Sequence, residues 1–230
     1  MEPAFKKFFE FDINMTQILY RDETILIANK PAGIPVHETK DPKRENFTGI
    51  LQKELGLSYL RTANRLDLET SGIVVFGLKE DSNKEVDELL KEADKYYLAV
   101  VEGNSPDEFR IESFLKDGNK RVTTVRSGGK KAITECKTIY RDVKKGYSVV
   151  YARLVTGRRH QIRIHLYERG FPIIGDKVYT NRKTPHAPRC LLHAYELHFK
   201  NKKKESIVVK ANIPKEFKEF LPLEFLNSIQ

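Results

Sequence analysis

The fold is decided by NRLDLETSGIVVF, residues 64–76, where a polar, charged segment runs directly into the apolar residues 73–76. These apolar residues form a continuous run rather than an alternating pattern. Continuous runs of this length are typical of a central β-strand that is buried on both faces. The polar segment in front of the run places the carboxylate of Asp67 close to the start of that strand.

Two explanations fit an aspartate in this position. Asp67 can close a turn by accepting a hydrogen bond from the amide of Thr70 or Ser71, and taken alone this is the better explanation. Alternatively, Asp67 is a nucleophile at a strand end, kept ionised by an arginine. Arg65 and Arg163 are the candidate partners.

The composition is that of an ordinary soluble protein. The 230 residues are 40% hydrophobic and 32% charged, which excludes a collagenous or disordered chain. The formal net charge is +9, with a sequence pI of about 9.4. A basic surplus favours a polyanionic partner, because clustered Lys and Arg side chains release phosphate counterions, although many basic proteins bind no nucleic acid.

The cysteines and the termini point to a reducing compartment. Cys136 and Cys190 are far apart and form no CxxC pair, so they give no zinc or redox signature, and free thiols are favoured over a single disulfide. The N-terminal MEPAFKKFFEFD lacks the long apolar centre of a signal peptide, and no apolar run is long enough to span a bilayer. We therefore expect a cytoplasmic protein without a membrane segment.

The predicted elements mix strands and helices. Strands are predicted at 24–28, 97–101, 132–140 and 147–155. Thr48 is predicted to cap a short helix that stops at Gly56, and Ser82 with Glu85 predicts a capping box at the start of another. Several strands are adjacent in the chain, which favours an α+β domain with a largely antiparallel sheet.

The segment 119–131, NKRVTTVRSGGKK, is basic and ends in a Gly-Gly turn. This pattern predicts an exposed hairpin tip. Either the tip contacts phosphates or it is a solvated loop, and the sequence favours neither.

A second informative stretch is LVTGRRHQIRIHLYERGFPIIGD, residues 154–176. Thr156-Gly157 breaks the preceding strand and Gly170 ends the segment, so we predict a helix over about residues 159–169. Its first turn is crowded with polar and basic side chains, namely Arg158, Arg159, His160 and Gln161. Cations are unfavourable at a helix N-terminus, so this cluster favours a bound anion such as phosphate.

A metal site and a glycosidase site are both poorly supported. His160 and His165 are five residues apart, so on a helix they point in different directions, and no Cys or Asp completes a ligand set. A glycosidase needs a second carboxylate to protonate the leaving oxygen. No second acid stands out beside Asp67, and a lone carboxylate suits a reaction with a good leaving group, such as uracil leaving a ribose carbon.

Five segments together resemble the RluA-type pseudouridine synthase family, and they occur in the family's order over residues 24–200. They are ILIANKPAGIPVH, NRLDLETSGIVVFGL, KYYLAVVEG, TGRRHQIRIHL with PIIGDKVY, and LLHAYELHF. The resemblance implies an α+β fold whose mixed, mainly antiparallel sheet is split by a central catalytic cleft. It also implies isomerisation of specific uridines in structured ribosomal or transfer RNA to pseudouridine, with neither a metal nor an organic cofactor.

The resemblance also implies site residues. Asp67 matches the nucleophile, and Arg163 the arginine paired with it. Tyr97 matches the tyrosine that stacks on the target base and serves in proton removal from C5, while Arg65 matches the residue that fills the space of the flipped nucleotide. The other residues expected to bind RNA are Lys30, Asn64, Arg158, Arg159, His160 and Gln161.

The chain departs from the family's pattern at two of these positions. Asn64 stands where the family usually has His, and Arg159 where it usually has Thr. About twenty residues precede the first predicted strand, too few for an S4-type RNA-binding domain, so one catalytic domain over residues 1–230 is expected. We expect a monomer.

On this reading the basic surface recruits the RNA. One candidate patch is a lysine-rich turn, for which a solvated β-turn is the alternative; it contains Lys200, Lys202, Lys203 and Lys204. Two other functions remain open, a non-catalytic RNA-binding factor on the same fold and a carbohydrate-active enzyme with Asp67 as nucleophile.

Overall fold

The computed structural model describes residues 18–39, 41, 43–180, 187–222 and 224–225. The described residues form one eleven-stranded sheet and three α-helices. The strands are β1 (Ile18–Arg21), β2 (Ile25–Lys30), β3 (Arg61–Thr62), β4 (Ser71–Gly77), β5 (Asp94–Glu102), β6 (Glu108–Asp117), β7 (Val122–Val125), β8 (Lys130–Asp142), β9 (Tyr147–Leu154), β10 (Leu192–Lys200) and β11 (Ser206–Lys210). The helices are α1 (Phe47–Glu54), α2 (Asn83–Glu92) and α3 (Gln161–Glu168), with short 3₁₀ turns at Glu80–Ser82 and Lys215–Phe217.

The strand order is β1-β2-β4-β10-β5-β9-β8-β6-β7, with β3 added beside β4 and β11 beside β10. Among the pairs of described strands, β4 and β10 run parallel, and the others run antiparallel. The parallel pair is short, joining His193 to Ser71 and Ala194 to Gly72. The predicted α+β class with a mixed, mainly antiparallel sheet is confirmed, and this short joint connects its two halves.

Gly72 is required at the joint. A Cβ atom built on Gly72 would lie 2.1 Å from the carbonyl oxygen of Ala194, and its φ of +113° is a conformation that side chains disfavour. The backbones of β4 and β10 can approach only because this residue has no side chain. The glycine of the opening stretch therefore joins the two halves of the sheet.

The strand predicted from residues 73–76 is confirmed as β4, and it is buried along its whole length. Ile73 and Val75 pack into a large core with α2 and α3. Val74 and Phe76 pack into a second core, which α1 covers. A strand between two cores has no polar face, which explains the continuous apolar run.

Both predicted helices exist and Ser82 stands at the N-cap position of α2, but neither predicted side-chain cap is formed. Asn46 caps α1, since its side-chain oxygen accepts from the amide of Gly49 at 2.9 Å. The hydroxyl of Thr48 instead donates to the carbonyl of Val36. The Ser82 hydroxyl donates to the Lys79 carbonyl and forms no cap on α2. A serine or threonine hydroxyl can form a hydrogen bond with any of several nearby backbone groups, and the sequence does not show which of these bonds will form.

The basic segment 119–131 is organised differently from the prediction. A four-residue loop, 118–121, joins β6 to β7, and residues 126–129 then cross to β8 on the other side of β6. The predicted tip at Gly128-Gly129 is therefore a crossing rather than a hairpin turn. Val122 is buried at the start of β7, and this burial draws the middle of the segment into the sheet.

Several other expectations can be placed. The helix predicted over 159–169 is observed as α3 over Gln161–Glu168. Within the described ranges, no helix has the length and apolar character needed to cross a membrane. The stretch MEPAFKKFFEFD lies outside those ranges. A single domain over 1–230 stays a prediction.

Candidate active site

The cleft beside the sheet joint brings Asp67 and Arg163 together, although they are far apart in the chain. The Nη1 atom of Arg163, on α3, donates to Asp67 Oδ2 at 2.8 Å. The Asp67 side chain is 25% exposed and that of Arg163 only 8%. The turn after Asp67 is closed by its backbone carbonyl, which accepts from the Thr70 amide at 3.1 Å. The carboxylate itself is therefore left to face the cleft and the guanidinium.

Arg163 is fixed from behind by a second carboxylate, Asp176. Nε and Nη2 of Arg163 donate to the two Asp176 oxygens at 2.7 and 2.8 Å, a bidentate geometry that sets the plane of the guanidinium. Burial opposes ionisation of Asp176, but Arg163 and the amides of Val178 and Tyr179 lower its pKa overall. Burial likewise opposes the charge of Arg163, whose pKa is nevertheless raised by Asp176 and Asp67. The cation that pairs with Asp67 is thus held in a fixed position.

Asp176 was not predicted as a site residue, although it lies within the quoted stretches 154–176 and PIIGDKVY. Its side chain is 1% exposed. A signal was available, because an acid that directly follows FPIIG is in an apolar setting, and buried carboxylates need a cationic partner.

His160 approaches the other carboxylate oxygen of Asp67. Its Nε2 lies 3.6 Å from Asp67 Oδ1, too long for a hydrogen bond, and its Nδ1 lies 3.0 Å from the Tyr179 hydroxyl. The φ of His160 is 53°, a left-handed conformation at the residue before α3. Burial, with help from Arg163, lowers the His160 pKa, so the ring is neutral at neutral pH. Asp67 therefore faces one charged and one neutral neighbour.

Tyr97 forms the aromatic side of the cleft. It lies on β5, and its side chain is 9% exposed. Burial and the nearby charge of Asp67 both raise the pKa of the Tyr97 phenol. Tyr97 is therefore a neutral phenol at neutral pH, which suits an aromatic contact and disfavours the acceptance of a proton.

Seven of the ten expected site residues line this cleft. They are Arg65, Asp67, Tyr97, Arg158, His160, Gln161 and Arg163. The residues outside the lining are Lys30, Asn64 and Arg159, and each has a contact of its own with the protein backbone.

Lys30 was expected to bind RNA, and its burial shows this to be wrong. Its side chain is fully buried at the end of β2. Its ammonium donates to the carbonyls of Pro31 at 2.7 Å, Ile34 at 2.9 Å and Leu68 at 3.4 Å. Leu68 directly follows Asp67. Lys30 therefore holds the segment that carries Asp67.

Arg189, which was not among the predicted site residues, holds the same segment further along. Its Nη1 donates to the Glu69 carbonyl at 3.1 Å and its Nη2 to the Ser71 hydroxyl at 3.0 Å. Glu216 accepts from its Nε at 2.7 Å and neutralises the buried charge. Two buried cations thus fix the backbone between Asp67 and the sheet joint.

Substitution of Lys30 by Met should destabilise the chain by about 1–3 kcal/mol, because buried carbonyls lose their donor. Burial and the nearby Arg189 lower the pKa of Lys30 to about 7. Since this lysine titrates near 10.4 when unfolded, the unfolded chain binds more protons between these two pH values. The unfolding free energy of the wild type should therefore gain a contribution as pH rises from about 7 to 10 that Lys30→Met lacks. Urea unfolding at pH 7 and pH 9 measures this difference, and equal pH dependence in the two chains would contradict the assignment.

Asn64 and Gln161, both expected to bind RNA, have structural contacts within the chain. The Asn64 side-chain oxygen accepts from the Val75 amide at 2.7 Å, so it holds the segment that follows β3 against β4. Gln161 is 2% exposed, and its amide group donates to the Ile133 carbonyl and accepts from the Thr156 hydroxyl. Each amide holds the backbone around the cleft, and an RNA contact of Asn64 or Gln161 stays a prediction.

The three arginines at the rim of the cleft differ in whether their guanidinium groups are held by other residues. Arg65 is exposed and forms no ion pair with any described residue. Arg158 Nε donates to the Lys131 carbonyl at 3.0 Å. Arg159 Nη1 donates to the Gly118 carbonyl at 2.8 Å. Arg158 and Arg159 precede α3 instead of lying in its first turn, and they fasten the basic segment to the rim.

The remaining expectations concern metals and thiols. His165 is buried between the hydroxyls of Ser113 and Thr134, each 2.9 Å away, so it does not share a site with His160. In the portion of the chain that the structure describes, no cluster of three or more His, Cys, Asp or Glu residues could hold a metal ion. Cys136 and Cys190 are buried free thiols.

Comparison with known proteins agrees with this geometry. The sequence profile of the RNA pseudouridylate synthase family matches residues 24–168. Ribosomal large subunit pseudouridine synthase D of Neisseria meningitidis serogroup A is 34% identical over 222 residues, which are 86% of this chain and 58% of that protein. The dual-specificity RNA pseudouridine synthase RluA of Haemophilus influenzae is 31% identical over 189 residues, 78% of this chain and 84% of that one.

Two solved structures share the fold. Human RNA Pseudouridylate Synthase Domain Containing 1 superposes with a TM-score of 0.74 at 21% identity and covers 100% of this chain and 97% of that one. Human RNA Pseudouridylate Synthase Domain Containing 4 gives 0.70 at 22% identity, with 87% and 89% covered. The chain spans about three fifths of the length of the Neisseria relative.

Proposed function

The chain belongs to the RNA pseudouridylate synthase family, and from this premise we propose that it isomerises specific uridines of structured ribosomal or transfer RNA to pseudouridine. The observation that supports the proposal best is the carboxylate of Asp67, ion-paired with Arg163 in a cleft beside Tyr97. The matching relatives named for ribosomal and transfer RNA support both substrate classes.

The target uridine must first leave the RNA stack, because a base held in a helix cannot be turned over. Extrusion costs a few kcal/mol. Arg65, exposed at the rim, is placed to fill the space that the nucleotide leaves, and its guanidinium can stack on the neighbouring bases. Tyr97 then offers the flipped uracil an aromatic surface in place of its stacking partners.

The chemistry begins at the ribose. The Asp67 carboxylate attacks C1′, the C1′–N1 bond breaks, and uracil departs as an anion whose charge is spread over its ring. Arg163 stabilises the negative charge of Asp67 before the attack, because Asp176 keeps its guanidinium in place.

The second half of the reaction exchanges the bonds to the ribose. The freed uracil rotates, C5 attacks C1′, and the bond from C1′ to Asp67 breaks, which regenerates the carboxylate. C5 then loses its proton and N1 gains one, so that the product is an isomer of the substrate. Tyr97 is a poor base for the C5 proton because its pKa is raised, whereas the regenerated Asp67 carboxylate is an anion beside the base.

A carbohydrate-active enzyme is the weaker alternative. A second acid, Asp176, lies behind Arg163, and both of its oxygens accept from that guanidinium. A general acid must be protonated near the working pH, whereas the pKa of Asp176 is lowered. Asp176 therefore supports the positioning of Arg163 and not the protonation of a sugar leaving group.

The test is a map of pseudouridine in the RNA of cells with and without the gene. We expect one uridine, or a small set, to lose the modification when the gene is absent and to regain it when the wild-type gene is restored. If RNA from both cells carries the same pseudouridines while the purified chain still binds RNA, the non-catalytic RNA-binding function is correct instead.

A further inference from the structure

Residues 116–131 form a basic hairpin that extends from the sheet beside the cleft. It comprises the end of β6, the loop 118–121, β7 and the crossing 126–129 into β8. One acid, Asp117, lies within this segment. The segment's basic residues are Lys116, Lys120, Arg121, Arg126, Lys130 and Lys131.

Most of these cations are free. Lys131 pairs with Glu112, but the other five form no ion pair with any described residue, and all five are exposed. Several basic residues elsewhere on the sheet are paired with acids, as where Arg153 contacts both Asp94 and Glu135. An exposed group of unpaired cations is the charge pattern that fits a phosphate backbone.

The basic hairpin shares a small apolar core with the helix that carries Arg163. Leu115 of β6 and Val122 of β7 pack with Ile164 of α3 and with Tyr179. Ile164 is the neighbour of Arg163 in the chain. A displacement of the basic hairpin would therefore disturb the packing of the helix that holds the nucleophile's partner.

Polar contacts fix the same arrangement. The guanidinium of Arg159 donates to the Gly118 carbonyl at 2.8 Å and to the Lys120 carbonyl at 3.4 Å, so it grips both sides of the loop. The Tyr179 hydroxyl accepts from the Val122 amide at 2.7 Å and contacts His160 at 3.0 Å. His160 in turn lies 3.6 Å from Asp67. A chain of three contacts, Val122 to Tyr179, Tyr179 to His160 and His160 to Asp67, thus joins the basic hairpin to the nucleophile.

We infer that the basic hairpin is a phosphate clamp for the substrate RNA, and that Arg159 is a positioning residue that holds the clamp in register with Asp67. This inference rests on the proposed function. Lys120 and Arg121 would hold the RNA backbone at a fixed distance from the Asp67 carboxylate. The distance is fixed because the residues that support the hairpin, Arg159 and Tyr179, also adjoin or contact His160 in the cleft.

The clamp is tested by charge removal at two positions. Lys120→Gln/Arg121→Gln should weaken binding of a labelled stem–loop RNA and reduce the slope of log affinity against log salt by about 1.4–1.8, since each lost phosphate contact removes about 0.7–0.9. The matched control is Lys84→Gln/Lys91→Gln, which removes the same charge from exposed positions of α2. A slope that falls only in the control would overturn the inference, as would equal slopes in both variants.

Arg159 is tested by comparing Arg159→Lys with Arg159→Gln. A lysine keeps the charge but loses the fork that spans two carbonyls. If Arg159 positions the clamp, both variants should lower kcat by a similar factor of about 10, while the salt slope stays near that of the wild type. If Arg159→Lys restores the wild-type kcat, Arg159 acts through its charge alone and the positioning role is wrong.

The experiments distinguish an error in the inferred clamp from an error in the proposed function. Binding and its salt slope are measured without any turnover, so a chain that forms no pseudouridine still reports on the clamp. Conversely, a chain that forms pseudouridine while Lys120→Gln/Arg121→Gln binds RNA with the wild-type salt slope keeps its function and loses the clamp.

Discussion

Asp67→Asn should bind RNA with wild-type affinity and form no detectable pseudouridine. The substitution removes the negative charge and leaves an amide, which does not attack C1′, and loss of a nucleophile costs on the order of 10⁴-fold or more in rate. The fold should survive, because Arg163 keeps both of its hydrogen bonds to Asp176. The measurement is single-turnover formation of pseudouridine, with enzyme in excess over RNA from cells that lack the gene.

The control for this variant is Glu69→Gln. Glu69 lies two residues from Asp67, and its carboxylate pairs with Lys177 at 3.2 Å, away from Arg163. It should retain activity within a few-fold of the wild type. Asp67→Asn with a rate comparable to that of Glu69→Gln would show that the carboxylate of Asp67 takes no part in the reaction.

Arg163→Met should lose activity and destabilise the chain by about 3–5 kcal/mol. Its removal leaves Asp176, which is 1% exposed, as a buried charge without its partner, and it leaves Asp67 without a counter-charge. Melting and urea unfolding measure the stability, and the single-turnover assay measures the activity.

The double variant Arg163→Met/Asp176→Leu separates stability from catalysis. When both charges of a buried pair are replaced by apolar groups, much of the lost stability returns. Its activity should stay as low as that of Arg163→Met, because Asp67 still lacks the guanidinium. Stability losses that simply add would contradict the coupling between Arg163 and Asp176, and restored activity would contradict the role of Arg163.

The parts of the fold that the sequence revealed were those with a local cause. A continuous apolar run can be buried only between two cores, so β4 was predictable from residues 73–76. The side-chain caps of α1 and α2 were not, because the hydroxyls of Thr48 and Ser82 donate to the carbonyls of Val36 and Lys79 instead of capping the helices. The hairpin loop was predicted at Gly128-Gly129 and is observed at 118–121. The difference arises because Val122 is buried by tertiary packing, which the local sequence does not show.

The site shows the same division. The pairing of Asp67 with Arg163 was expected from resemblance, since no local pattern connects residues 96 positions apart. Lys30 was expected to bind RNA, yet three backbone carbonyls hold its ammonium in the interior. Asp176 and Arg189 were not predicted as site residues for the same reason: the sequence does not show whether a charged residue will be buried together with a partner of opposite charge.

The measurement that tests the central claim most directly is the release of the C5 hydrogen. Formation of a C5–C1′ bond must expel that hydrogen, so wild-type chain in excess over RNA labelled with tritium at uridine C5 should release tritium in step with the pseudouridine formed. RNA that is bound tightly by the wild-type chain, yet retains all of its tritium and acquires no pseudouridine, would contradict the proposal that Asp67 and Arg163 form an isomerase site.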